Sequence, residues 1–339
     1  MMQIQEALAR LLERQDLSAA EMERVMRQIM RGEATPAQIG ALLMALRLKG
    51  ETVEEIIGAV RAMRAEAVQI HPMATVVVDT CGTGGDRKGT FNISTAAAFV
   101  VAGAGITVAK HGNRAMSGSV GGADVLEALG VKIDLEPERV AACVDAIGIG
   151  FLFAQKFHPA MKHAAGPRRE LGIRTIFNLL GPLSNPAGAR HQVVGVFAPE
   201  WIEPLAHALG RLGSTHALVV HSDDGLDEIS LAADTTVAEW REGVVHSYRL
   251  APEDFGLDRC RAEDLRGGAT ATEGARIVRE ILNGEPGPCL DTVMLNAAAA
   301  LYVADAAASI AKALPLAHAA IRSGKARQKL DELIQFSHA

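Results

Sequence analysis

After His71-Pro72 the sequence changes period, and no other feature limits the possible folds more. Thr75-Val76-Val77-Val78-Asp79 is a short β-branched run bounded by Pro and Gly, the pattern of a strand buried on both faces. Strand-length and helix-length segments then alternate. The spacing predicts helices over 92–102, 123–129 (stopped by Gly130), from Pro137 onward and over 199–212. It predicts strands over 106–109, 131–133, 151–153, 193–196 and 217–220. Such alternation specifies an α/β fold: a mostly parallel central sheet flanked by helices. From Thr272 the chain reads as Ala-rich helices.

Before the change of period everything reads as helix. Ser18-x-x-Glu21, Thr35-Pro36-Ala37-Gln38 and Thr52-x-x-Glu55 are capping boxes, the second with Pro at the first helical position. Gly32 and Gly50 stand where helices should stop. A small all-helical domain over 1–70 is predicted, with apolar residues on more than one face of short helices, so one face is expected to meet another subunit. The segment 155–186 is helical, Arg-rich and Gly/Pro-rich; part of it, 165–186, is expected to return to the helical domain. The large α/β domain then comprises 73–164 and 187–339.

With 49% hydrophobic and 22% charged residues in 339, the chain has the composition of a globular protein. The formal net charge is −6, so a phosphate ester needs a local device: backbone N–H groups, aimed cations or a divalent metal. That charge and a 4% aromatic content disfavour a nucleic-acid platform. The four cysteines are scattered, without a C-x-x-C pair, which suggests reduced thiols in a cytoplasmic setting. The opening Met-Met-Gln-Ile-Gln-Glu has no signal-peptide pattern, and the longest apolar run, 96–106, is too short to span a membrane.

Five segments carry candidate chemistry. Asp79-Thr80-Cys81-Gly82-Thr83-Gly84-Gly85-Asp86 follows a buried strand, where ligands of parallel sheets bind, and its glycines let N–H groups approach a ligand closely. It lacks the Walker lysine (Thr90 stands there) and the last glycine of G-x-G-x-x-G (Arg87 does). Gly89-Thr90-Phe91-Asn92-Ile93-Ser94-Thr95 puts donors at a helix N-terminus, which favours an anion. Lys110-His111-Gly112-Asn113-Arg114 reads as a cationic loop ending a strand, followed by the flexible Ser117-Gly118-Ser119-Val120-Gly121-Gly122. Asp223-Asp224-Gly225-Leu226-Asp227-Glu228 places four carboxylates in six residues, a mutual repulsion that Mg²⁺ relieves. Arg168-Arg169-Glu170-Leu171-Gly172-Ile173-Arg174, with Phe177-Asn178 and Gly181 to Pro186, offers guanidinium forks for a carboxylate. Taken singly, each also fits a plain turn, an N-cap, a solvated loop or structural ion pairs; together they point to a polyphosphorylated small ligand.

These blocks resemble the anthranilate phosphoribosyltransferases of tryptophan biosynthesis over nearly the whole chain, Lys110–Arg114 and Arg168–Pro186 most specifically. The resemblance implies a helical domain plus a larger α/β domain, dimerised through the helical domains. It implies transfer of a phosphoribosyl group from phosphoribosyl pyrophosphate to anthranilate with inversion, releasing pyrophosphate. Carried over, Gly82, Gly85, Asp86, Thr90, Asn92, Ile93, Ser94, Thr95, Lys110, Gly112, Asn113, Ser117, Gly118 and Gly122 hold the donor. Gly82, Asn113 and Arg168 meet anthranilate, with His111 nearby. Ser94, Asp227 and Glu228 serve two Mg²⁺ ions per subunit, and no general base is implied. One departure is Ser119-Val120-Gly121-Gly122, where members often have a basic residue and then Ser-Gly-Ser, so a phosphate-contacting hydroxyl near Gly122 is missing. The alternatives are a nucleoside phosphorylase of the same fold, which needs no Mg²⁺-binding carboxylate pair, and a non-catalytic nucleic-acid-binding relative.

Overall fold

A computed structural model describes residues 2–115 and 120–339. The chain opens with four helices, α1 (Ile4–Leu12), α2 (Ala19–Met30), α3 (Pro36–Lys49) and α4 (Val53–Ala65). All three predicted capping boxes form: the Ser18, Thr35 and Thr52 hydroxyls accept from the N–H groups of Glu21, Gln38 and Glu55. Gly50 closes α3 at a φ of 93°, closed to most side chains. A buried ion pair, Lys49 Nζ to Glu55 Oε2 at 3.0 Å, ties α3 to α4.

The sheet elements follow. In chain order they are β1 (Val77–Thr80), α5 (Ile93–Gly103), β2 (Thr107–Gly112), α6 (Gly122–Leu129), α7 (Pro137–Ile147), β3 (Ile149–Phe153), the short α8 (Ala154–Phe157), α9 (Lys162–Leu171), α10 (Phe177–Leu183), β4 (His191–Gly195), α11 (Ile202–Arg211), β5 (His216–Ser222), β6 (Thr235–Arg241) and β7 (Val244–Leu250). Four helices end the chain: α12 (Ala271–Leu282), α13 (Pro288–Val303), α14 (Ile310–Arg322) and α15 (Lys325–His338).

The strand order is β3-β2-β1-β4-β5-β6-β7. The first five strands are parallel, and β6 and β7 add an antiparallel hairpin. The order reverses between β1 and β4, so a crevice opens beyond their carboxyl ends, where open α/β sheets bind ligands. One face packs under α5 and α13 in a core that includes Phe99, Val101, Leu218, Val220 and Leu301. The other face, through Val194, Val196, Ala217, Val219 and Ala238, shares a continuous core with α11 and with bundle residues such as Met26, Leu43 and Val60. Ala164, Ile176, Phe177 and Leu180 join that second core, so α9 and α10 do pack on the bundle.

Two local expectations are corrected. Residues 131–133 form no strand: Val131 and Ile133 are buried, but the Lys132 N–H donates to Ser337 Oγ at 3.0 Å instead of to a ladder. Lys110, His111 and Gly112 are not a loop; they pair with Phe151, Leu152 and Phe153 as the end of β2, and Lys110 and His111 are buried. Beyond the strand, Arg114 pairs with both Asp124 and Glu127.

Candidate active site

The glycine loop leaves β1 at the crevice, with Gly84 and Gly85 at φ of 64° and 79°. It is pinned from β4 and the segment beyond it: the Thr83 N–H donates to the Gly195 carbonyl at 2.8 Å, and the Phe197 N–H donates to Thr83 Oγ1 at 3.0 Å. The Gly84 N–H donates to the Asp227 carboxylate at 2.8 Å. At the start of α5 the Ser94 N–H donates to Glu228 Oε1 at 3.2 Å. Both anion-binding positions, the glycine nest and the helix N-terminus, are thus engaged by the acidic turn itself. Gly82 lets this happen: a Cβ there would sit 3.0 Å from Asp227 Oδ2.

The four carboxylates of the acidic turn divide. Asp223 pairs with Arg249, and Asp224 accepts from Ser230 Oγ at 2.8 Å. Asp227 and Glu228 turn into the crevice. Burial, then repulsion from Asp86 and Glu228, holds the Asp227 carboxyl well above the ordinary range. Burial raises Glu228 to about 7 against the pull of Lys110 and Ser94. Asp86 Oδ2 is buried without a hydrogen-bond partner among the described residues. Three mutually repelling carboxylates and an orphaned oxygen suit a hard divalent cation. Among the described residues no three His, Cys, Asp or Glu side chains converge tightly enough to hold a metal unaided. Mg²⁺ commonly takes one or two carboxylates and completes its shell with water and substrate phosphate, which fits this arrangement.

The other donor-side candidates surround this point. Lys110 Nζ donates to the Thr80 carbonyl and, at 3.3 Å, to Ser94 Oγ, so it orients Ser94. Asn92 precedes α5 but does not cap it; its amide donates to the Val120 carbonyl at 3.2 Å. The Ile93 and Thr95 side chains are buried. Thr90 bridges to Arg266. Gly122 opens α6 and passes Thr95 Oγ1, where a Cβ would come within 3.0 Å. Ser117 and Gly118 lie outside the described residues.

Acceptor-side candidates stand at the end of β2 and on α9, facing α10. Asn113, exposed, follows β2, and its carbonyl accepts from the Ala123 N–H at 3.3 Å. The Arg168 guanidinium lies 5.0 Å from the Phe177 ring centre, and burial lowers its pKa. The His111 ring meets the Gly181 carbonyl through Nδ1 at 3.1 Å and stands 5.1 Å from the His158 ring. Burial holds these imidazoles down at about 3 and about 4, so both are neutral near pH 7. Neither Nε2 has a hydrogen-bond partner among the described residues.

Four residues that build this site have no role assigned from sequence, although Asp79 and Asn185 lie inside the glycine motif and the 181–186 segment. Asp79, fully buried and raised to about 6 by that burial, accepts from the His111 N–H at 3.1 Å and from the Asn185 amide at 2.8 Å. Asn185 also donates to the Ala109 carbonyl, joining the connection between α10 and β4 to two strands. His158 and Gly195 carried no local signal beyond their residue type.

The chain matches the family described as "Glycosyl transferase family, helical bundle domain" over residues 5–67 and "Glycosyl transferase family, a/b domain" over 74–327. It is 56% identical over 341 residues to an anthranilate phosphoribosyltransferase from Thioalkalivibrio sulfidiphilus, covering 99% of each chain. The chain belongs to the anthranilate phosphoribosyltransferase family. A crystal structure of the family's member from Thermus thermophilus shares the fold with a TM-score of 0.93 at 46% identity, covering 98% of this chain and 99% of that one. The Saccharomyces cerevisiae anthranilate phosphoribosyltransferase, solved in complex with PRPP and Mg, superposes with a TM-score of 0.90 at 26% identity over 99% of this chain and 98% of that one. The same yeast enzyme in complex with 4-fluoroanthranilate gives 0.88 at 26% identity, again over 99% and 98%.

Proposed function

We propose that the crevice beyond β1 and β4 binds phosphoribosyl pyrophosphate and Mg²⁺ and transfers the phosphoribosyl group to anthranilate, giving N-(5-phosphoribosyl)anthranilate and pyrophosphate in tryptophan biosynthesis. The observation that carries this reading is the buried Asp227–Glu228 turn, reaching both the glycine loop and the start of α5 at the point where strand order reverses. The yeast relative in complex with PRPP and Mg supports the donor and the metal, and its 4-fluoroanthranilate complex supports the acceptor. The carboxylate pair also favours this reaction over phosphorolysis of a nucleoside, which needs no metal-binding acids.

In this reading Gly82, Gly85, Asp86, Thr90, Asn92, Ser94, Thr95 and Lys110, with Ile93, Gly112, Asn113, Ser117, Gly118 and Gly122 beside them, grip the donor. Ser94, Asp227 and Glu228, one hydroxyl and two carboxylates, hold two Mg²⁺ ions. When bound, Mg²⁺ supplies charge neutralisation for the departing pyrophosphate oxygens. The Gly84 and Ser94 N–H groups hold Asp227 and Glu228 at that place, and the glycine-loop N–H groups not so engaged stabilise the charge that builds as the glycosidic bond breaks. Arg168 orients the anthranilate carboxylate, and Gly82, Asn113 and the neutral His111 line the acceptor's place. Anthranilate's amine is uncharged at pH 7, so positioning and exclusion of water do the work, without a general base.

The helical unit, 1–70 with part of 165–186, closes on the α/β unit, 73–164 and 187–339; the packing of α9 and α10 on the bundle supports this division. Leu12 and Leu48 of the bundle are 77% and 71% exposed, which supports a homodimer built on these helices. Among the described residues no helix is long and apolar enough to cross a membrane, and a cytoplasmic location suits the biosynthetic role. The test is the loss of anthranilate fluorescence. Adding phosphoribosyl pyrophosphate and Mg²⁺ should extinguish it, with both required; unchanged fluorescence, or loss without the donor, refutes the assignment.

A further inference from the structure

Arg174 is the one arginine of the 168–174 motif that meets the donor loop. It stands on the connection between α9 and α10, two residues beyond Gly172, which ends α9 at a φ of 61°. Its guanidinium donates to the Gly85 carbonyl and lies over Phe197, its central carbon 4.3 Å from the ring centre. Among the described residues it forms no ion pair. Its charge is therefore directed at a carbonyl and a ring. The ring is itself tied to the loop, because the Phe197 N–H donates to Thr83 Oγ1. Gly85 sits at a φ of 79°, and a Cβ there would come within 3.7 Å of Arg174 Nε, so this contact uses the glycine's open flank.

We infer that Arg174 is a positioning residue that locks the glycine loop in its donor-binding shape and links that loop to the segment carrying Arg168. Besides the bond from Arg174 to Gly85, the loop is held by Thr83 to Gly195 of β4, by the Phe197 N–H to Thr83 Oγ1 and by Gly84 to Asp227. Those others come from β4, the segment just after it and the acidic turn. The bond from Arg174 reaches the loop from the acceptor side, six residues after Arg168. A loop of glycines has much backbone freedom to lose on binding an anion, and fixing it beforehand removes that cost. A charged donor on a carbonyl, backed by an aromatic face, is a strong fixing. The inference rests on the reading of 82–86 as the donor loop.

Two measurements test it, one of them independent of turnover. In the ligand-free protein, hydrogen–deuterium exchange over 82–89 should quicken in Arg174→Ala and stay at the parental rate in remote peptides. In steady-state kinetics Arg174→Ala should raise the KM for phosphoribosyl pyrophosphate on the order of tenfold, the effect of losing one charge-assisted hydrogen bond, with kcat changed far less. Arg174→Lys keeps a donor but loses the flat face, so it should fall between. Phe197→Leu should act in the same direction, and the double variant should be no worse than Arg174→Ala, since both act on one fixing. Unchanged exchange at 82–89 overturns the inference. So does an unmoved donor KM in an Arg174→Ala protein of parental melting temperature. An elevated KM in Arg174→Ala with parental Phe197→Leu and additive effects also overturns it, since that is the mark of direct contact with substrate. If Arg174→Ala does not fold, Arg174→Lys and Phe197→Leu carry the same comparisons. An unsubstituted protein without transfer activity would count against the donor-loop reading, while the exchange experiment would still decide the fixing.

Discussion

Single side chains divide the labour of the site by charge. Arg168, buried enough to lower its pKa and braced on Phe177, is the group we propose to orient the acceptor carboxylate. Arg168→Ala should therefore raise the anthranilate KM roughly ten- to a hundredfold with a smaller change in kcat, the signature of lost positioning. An unchanged anthranilate KM would remove Arg168 from the acceptor site. Asp227→Asn and Glu228→Gln should instead weaken Mg²⁺ activation, read as a higher Mg²⁺ concentration for half-maximal rate; a parental metal response in the double variant would contradict their role. His111 and His158 make a pH prediction. Both are pushed by burial from the ordinary 6.5 down to about 3 and about 4, so the unfolded chain binds their protons first. Their contribution to stability is complete above 6.5 and drains away as pH falls toward those folded values. Chemical denaturation between pH 7 and 4 should show this loss, shallower in His158→Gln; an identical slope would assign the acid sensitivity elsewhere.

Elements explain what the sequence could and could not announce. The glycine loop, the acidic turn and the capped helices are local patterns, written in neighbouring residues, and they appear where their spacing placed them. The end of β2 was hidden because Lys110 and His111 look like loop residues. They are tolerated in a buried strand only because Thr80, Ser94 and the Gly181 carbonyl, far along the chain, accept or face them. The Val131–Ile133 run was misleading for the opposite reason: alternation gave it strand character, but its N–H found the end of α15. Gly195 is the sharpest case. It closes β4 against the acidic turn, where any Cβ would overlap the Asp227 carbonyl. Nothing local reveals an approach between residues so far apart. Gly195→Ala should destabilise the protein by about 1–3 kcal/mol and displace Asp227, lowering Mg²⁺-dependent turnover more than anthranilate binding. A Gly195→Ala protein with parental stability and metal response would show that the turn does not depend on this closeness.

At the scale of the whole molecule, the topology does the gathering. Five parallel strands deliver the glycine loop, the end of β2 and the acidic turn to one rim, and the reversal between β1 and β4 opens the space between them. The connection from α10 to β4 is pinned at that rim through Asn185 to Asp79, which brings the proposed donor and acceptor groups side by side. The bundle adds exposed Leu12 and Leu48, and Leu48→Glu should shift sedimentation toward the monomer; an unchanged profile would place any dimer contact elsewhere. Above all, this one rim should grip a sugar diphosphate with divalent cations. A crystal structure of the protein soaked with phosphoribosyl pyrophosphate and Mg²⁺ tests that most directly. The diphosphate should lie against residues 82–86 and the start of α5, with metal density beside Asp227 and Glu228. Diphosphate bound away from this rim, or a metal-free turn beside an occupied donor site, would contradict it.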